Sequence, residues 1–170
     1  WGYKTIYSIS IGEGELLTTP LQMANLAAII ANRGYYREPH PVRDIGGLGK
    51  PVGIDSIHNL DILPKYFETM VNAMQKVIED PKGTGNLAQI DGIKICGKTG
   101  TVQNKDKEDH SVFIAFAPRD NPKIALSVYV EYAGSGGEWA APIAGLLVEK
   151  YLTDTVSNTL REDRILTFQP

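Results

Sequence analysis

The tightest constraint on this chain is a change of hydrophobic period in its second half. From residue 93 apolar side chains recur at every second position: Ile93/Ile95, then Val112/Ile114/Phe116, then Ile124/Leu126/Val128/Val130. Side chains of a strand alternate between its two faces, so this spacing predicts strands. The last two runs flank Pro118-Arg119-Asp120-Asn121-Pro122, whose prolines cannot extend a ladder, and they read as an antiparallel hairpin.

Helical signals surround these runs. Thr19 stands where a cap is needed, Pro20 at the first helical position, and Gln22 three residues after the threonine, the spacing of a capping box. From Leu21 to Ala31 almost no polar face remains before Asn32-Arg33-Gly34 stops the helix, so it is expected to be central to the core. A second helix follows Pro64, with Phe67, Met70, Val71, Met74, Val77 and Ile78 on one side, and Asp80-Pro81-Lys82-Gly83 ends it. A closing helix runs from Trp139 to about Leu152 after Gly134-Ser135-Gly136-Gly137, with Pro142 tolerated in its first turn. Tyr3 to Ile11 reads as a strand ended by Gly12-Glu13-Gly14-Glu15. Residues 35 to 60 read as a long connection with weak strand signals at Val42-Arg43-Asp44-Ile45, and the chain from Asp154 is polar. Strand, helix, loop, helix, three strands and helix in that order define an α+β fold, an antiparallel sheet flanked by helices.

Composition removes several functions. The 170 residues carry 17 Lys+Arg against 20 Asp+Glu, a net charge of −3 with no basic run, so nucleic acid is not an expected partner. One cysteine excludes an internal disulfide framework and a cysteine-rich zinc site. The stretch Met23 to Ala31 is far short of the roughly 20 apolar residues of a membrane span. A compact chain of this mass exposes roughly 8,000 Å² and has enough interior for one core.

The densest set of chemistry-bearing residues is Cys96-Gly97-Lys98-Thr99-Gly100-Thr101. Gly92 to Thr99 fits the phosphate-loop pattern G-x-x-x-x-G-K-[ST] letter for letter. That motif needs a helix opening at its Lys-Thr pair, whereas Gly100-Thr101-Val102 starts a helix poorly and Ile93-Lys94-Ile95-Cys96 alternates like a strand. The competing expectation is a strand from Ile93 to Val102 bordering a cleft. Lys98 and Gly100 then share one face and Thr99 and Thr101 the other. On it Lys98 offers a cation, Thr99 a hydroxyl, Gly100 clearance, and the next backbone N–H an oxyanion donor.

The triplet is not isolated. Ser10-Ile11-Gly12-Glu13-Gly14-Glu15, Thr19-Pro20-Leu21-Gln22-Met23-Ala24, Ile95 to Gln103, Asp109 to Pro118 and Trp139 to Ala144 resemble class B penicillin-binding proteins in order and spacing, over roughly residues 7 to 152. Within that class the resemblance is to the cell-elongation peptidoglycan D,D-transpeptidases. It implies the C-terminal portion of the β-lactamase/transpeptidase-like fold over residues 1–152, with a polar tail at 153–170. It also implies that Lys98 orients the donor peptide and assists proton traffic. Thr99 and Thr101 would bind the terminal carboxylate of a stem peptide or a β-lactam, and the Thr101 N–H would form half of an oxyanion hole. No cofactor or metal is implied. The implied partners are peptidoglycan stem peptides, β-lactam antibiotics and the elongation machinery, including a membrane glycosyltransferase. The implied location is the periplasmic face of the inner membrane.

The resemblance stops at the nucleophile. No serine in the chain is followed three residues later by lysine, and no Ser-x-Asn occurs. In the family both motifs lie upstream of the matching region, so the chain, which starts at Trp1, reads as a fragment lacking the nucleophile and inactive alone. A non-catalytic binding module of the same fold is the further alternative.

Remaining candidates read as structural. His110 and Ser111 are adjacent in a strand and face opposite ways, which opposes a direct pair. His40 and His58 lack a second ligand at metal spacing. Glu13 and Glu15 read as a solvated loop, Cys96 as a small buried residue without a base, and Tyr132 and Trp139 as packing residues.

Overall fold

Two of the period-two runs, Val112/Ile114/Phe116 and Ile124/Leu126/Val128/Val130, fold as strands of a three-stranded antiparallel sheet. The computed structural model describes residues 2–42, 46–47 and 56–168. In chain order these form α1 (Tyr3–Ser10), α2 (Pro20–Ala31), β1 (Tyr35–Arg37), β2 (Ile57–Asn59), α3 (Pro64–Glu79), a 3-10 turn (Asn86–Ala88), β3 (Cys96–Val102), β4 (His110–Ala117), β5 (Ile124–Val130), α4 (Ala140–Thr153) and α5 (Thr159–Leu166). The main sheet has the order β3-β4-β5, with Thr99 opposite Phe113 and Phe113 opposite Val128. The first strand begins at Cys96, three residues later than the alternation suggests. Ile93 instead makes a single bridge with Ile90.

Helices cover both sheet faces. On one, Ala140, Ala141, Ala144 and Val148 of α4 pack with Ala88, Ile95, Phe113 and Ala115. On the other, Ala27, Ile30 and Ala31 of α2 and Val71 and Met74 of α3 pack with Cys96, Ile114 and Phe116. Hence β4 is buried from Phe113 through Ala117 without interruption. Phe113 lies over Gly97 and against Gly85: a Cβ on Gly97 would stand 2.4 Å from the ring, and one on Gly85 3.0 Å. Glycine at those positions is the room the ring occupies.

The capping box forms as expected: the Gln22 N–H donates to Thr19 Oγ1 (3.3 Å) and the Thr19 N–H to Gln22 Oε1 (2.8 Å), a device worth about 1 kcal/mol. The helix it starts is less central than expected. Ala27, Ile30 and Ala31 are buried, but Leu21 and Leu26 are exposed because only the sheet side of α2 is covered. In α3 the buried set is Phe67, Val71, Met74 and Ile78, at helical spacing.

Two segments differ from expectation. Tyr3 to Ser10 is a helix, not a strand. Its apolar residues Tyr3, Ile6 and Tyr7 also fit helical spacing, and with no ladder beside them only a helix satisfies their backbone groups internally. The connection of residues 35 to 60 contains a ribbon in which β1 pairs β2, with Tyr36 stacked on His58 at 5.0 Å. The strand signal at 42–45 falls mostly on residues outside those described.

The polar tail carries α5, capped by Asn158, whose side chain accepts from the Arg161 N–H at 2.9 Å. The buried Glu149 carboxylate of α4 accepts from the Ser157 hydroxyl (2.5 Å) and N–H (3.2 Å). Trp139 packs against Phe168, and the Arg164 guanidinium lies 4.6 Å from its ring.

Candidate functional site

Of the three strands, β3 lies at the sheet's edge and is paired on one side only by β4. An edge strand turns alternate N–H and C=O groups outward. The Lys98 ammonium donates to the Thr99 carbonyl at 2.7 Å, which places that carbonyl on the open side. Alternation puts the N–H and C=O of Thr101 on the same side. Lys98 and Thr101 are exposed and Thr99 is half-buried. No ion pair takes the Lys98 ammonium among the described residues.

The register separates the side chains as the two-residue period requires. Lys98 and Gly100 pair with Ile114 and Val112, and Thr99 and Thr101 with Phe113 and Ser111. A Cβ on Gly100 would make only ordinary contact with Val112 at 3.5 Å, so nothing within the described chain crowds that position.

The two threonines share their face with the loop Gly134 to Gly137. The Gly136 N–H donates to Thr101 Oγ1 at 3.4 Å. A Cβ on Gly136 would fall 2.3 Å from the Gly100 carbonyl oxygen, and one on Gly137 2.2 Å from that of Thr84, so this loop can lie against β3 only without side chains. Ser111 clamps the loop. Its buried hydroxyl donates to the Ser135 carbonyl (2.8 Å) and accepts from the Ala140 N–H (2.9 Å). Thr84, from the loop after α3, brings its Oγ1 to 2.8 Å from Thr99 Oγ1. Sequence reasoning missed Thr84; the triplet Gly83-Thr84-Gly85, a hydroxyl between two glycines, was the available signal.

Together these groups make a donor-rich edge: one ammonium, two hydroxyls and an outward backbone N–H. Such an edge suits an anion or a carbonyl oxygen that gains charge. It does not suit a phosphate loop, because the chain continues as a strand through Val102 where that motif needs a helix.

The other candidates lie apart from this chemistry. His110 stacks on Tyr129 (5.4 Å), lies 4.9 Å from the Tyr132 ring, and accepts from the Tyr132 N–H through Nδ1 at 3.1 Å, while the Ser111 hydroxyl is committed elsewhere. His58 faces the Glu38 carboxylate at 3.8 Å, and Glu15 accepts from the Thr5 hydroxyl at 3.3 Å. Cys96 is fully buried, its Sγ 3.6 Å from the Val71 carbonyl oxygen, and burial pushes the thiol up to about 12, against activity as a nucleophile. No cluster of three His, Cys, Asp or Glu residues suited to a metal occurs among the described residues.

Residues 1–149 match the family model of the penicillin-binding protein transpeptidase domain, and the chain belongs to that family. Among its relatives is the peptidoglycan D,D-transpeptidase MrdA of Haemophilus influenzae, 33% identical over 89% of this chain and 26% of that protein. PbpA of Mycobacterium tuberculosis, also a peptidoglycan D,D-transpeptidase, is 34% identical over 84% of this chain and 31% of its own length. The crystal structure of Pseudomonas aeruginosa PBP2 in complex with WCK 5153 superposes with a TM-score of 0.82 at 30% identity, over 94% of this chain and 35% of that one. The chain thus spans about a quarter to a third of the length of these relatives.

Proposed function

We propose that this chain supplies the Lys-Thr-Gly wall of a peptidoglycan D,D-transpeptidase active site and that the rest of the parent protein supplies the nucleophilic serine. The observation that carries the reading is the edge of β3, where Lys98, Thr99 and Thr101 offer donors along one open strand. In the parent, the serine oxygen attacks the penultimate D-Ala carbonyl of a donor stem peptide. The peptide C–N bond breaks, and D-Ala leaves with the proton its amine needs. The amine of a neighbouring stem then attacks the ester, forms the cross-link and returns the proton to serine.

Each wall residue has a place in that sequence. The Thr99 and Thr101 hydroxyls hold the terminal carboxylate of the donor, or that of a β-lactam. The Thr101 N–H meets the carbonyl oxygen as it becomes an oxyanion. Lys98 supplies positive charge beside the reacting groups and assists proton transfer. The parent works on the periplasmic face of the inner membrane, held by a segment outside this chain, with the elongation machinery and its glycosyltransferase as partners. β-Lactams are its inhibitors.

The test is acylation by a fluorescent penicillin. In the full-length parent, Lys98→Ala should slow acylation by about a hundredfold or more; unchanged kinetics would remove Lys98 from the mechanism. The 170-residue chain alone should form no covalent adduct by intact-mass spectrometry, since it holds no Ser-x-x-Lys. A stoichiometric adduct would place the nucleophile inside it.

A further inference from the structure

Both threonine hydroxyls on β3 face a protein group that can donate to their oxygen. Thr101 Oγ1 accepts from the Gly136 N–H at 3.4 Å, and Thr99 Oγ1 lies 2.8 Å from the hydroxyl of Thr84. A hydroxyl has one proton and two lone pairs, so an oxygen that already accepts keeps its proton for another partner. At Thr101 the donor is a backbone amide and the direction is fixed. At Thr99 either hydroxyl can donate, and what occupies the cleft sets the direction. With a carboxylate present, only one arrangement makes both bonds: Thr84 donates to Thr99, and Thr99 donates to the anion.

Thr84 is held for this task. A Cβ on Gly83 would stand 2.3 Å from the Val77 carbonyl oxygen, and Gly85 sits under the Phe113 ring with its N–H on that same carbonyl at 2.9 Å. Phe113 also covers Gly97, two residues before Thr99, so a single ring sets the spacing between the two hydroxyls. From the far side the Thr84 carbonyl closes against Gly137. We infer that Thr84 is a positioning residue that donates to Thr99 and thereby turns the Thr99 proton toward the carboxylate of the bound donor peptide or β-lactam. A chain of hydroxyls ending on an anion polarises along its length, which strengthens the terminal bond. The inference rests on the proposed function and adds to it a residue outside the Lys-Thr-Gly motif.

The experiment uses the full-length parent and two probes, penicillin G and its methyl ester, which lacks the anion. Thr84→Val keeps the shape and removes the donor. Acylation by penicillin G should fall about tenfold, the scale of one hydrogen bond to a charged group. Acylation by the ester should change less than about twofold, and Thr84→Ser should restore the penicillin G rate to within about threefold. An equal loss on both probes would show that Thr84 merely supports its loop and would overturn the inference, as would a serine variant no better than valine. Should Thr84→Val fail to fold, Thr84→Cys, a weak donor of similar size, carries the same comparison. Lys98→Ala and Thr99→Val run alongside: if neither slows penicillin G, the reading of the whole edge falls. If both do and Thr84→Val does not, the role of Thr84 alone falls.

Discussion

Residues 96–152 and residues 3–21 are both rich in apolar side chains, and they use them in opposite ways. In the first region Phe113, Phe116 and Val148 are fully buried where the sheet meets its helices. In the second, Leu17 is 92% exposed, Tyr3 79% and Tyr7 69%, with Ile6, Ile11, Leu16 and Leu21 exposed around them. The whole chain presents 11167 Å², well above the roughly 8,000 Å² of a compact protein of its mass. The sheet region finishes its core with its own residues, whereas the N-terminal region leaves its large apolar side chains exposed. Its relatives in the family are three to four times longer, so a covering polypeptide is available in them.

The largest expected effect attacks the self-sufficient half. Phe113 fills the slot between Gly85 and Gly97 and joins α4 to the sheet. Phe113→Ala should cost about 3–5 kcal/mol, because neither glycine can move a side chain into the void. Chemical denaturation measures it, and a loss below about 1 kcal/mol would mean the sheet core does not carry the stability of this chain.

The same contrast explains what the sequence made legible. The hairpin of β4 and β5, the capped α2, the amphipathic α3 and the start of α4 could be read directly, because each buries its apolar positions on neighbours within the chain. Burial imposes the period that pattern reading detects. Tyr3 to Ile11 misled for the complementary reason: its apolar residues are exposed, so no partner enforces a period, and a short alternation at Ile9/Ile11 outweighed the helical spacing of Tyr3, Ile6 and Tyr7. The ribbon of β1 and β2 was invisible because three-residue strands show no period at all. At the site, Lys98, Thr99, Gly100 and Thr101 were legible as neighbours in one motif. Thr84 was not, since it lies 15 residues from Thr99 and its one local signal is the pair of glycines that flank it.

Cys96 sharpens the comparison from inside the buried half, at the junction of α2, α3 and β3. Burial raises its thiol from 9.0 to about 12, so the unfolded chain releases this proton first as the solution becomes alkaline. The contribution to stability is therefore complete below pH 9 and declines as the pH rises toward 12. Cys96→Ala should remove this part of the alkaline slope, seen as a shallower fall in unfolding free energy than the parent sequence shows. The native thiol should also resist iodoacetamide at pH 8 and react once urea unfolds the chain. Equal slopes, or rapid native alkylation, would show that this core is open to water.

The smallest effect is expected where most apolar surface shows. Leu17→Ser and Tyr7→Ser remove exposed side chains, and in this chain neither should change the unfolding free energy by more than about 0.5 kcal/mol. In the full-length parent the same substitutions should each cost about 1–3 kcal/mol, because there the surface would be covered and each loss would strip buried apolar area. The difference between the two settings measures the missing contact, and neither number does so alone. Equal small effects in both would mean that this surface stays open in the parent. Equal large effects would mean that Leu17 and Tyr7 already have partners here, and the division between a finished half and an unfinished one would not hold.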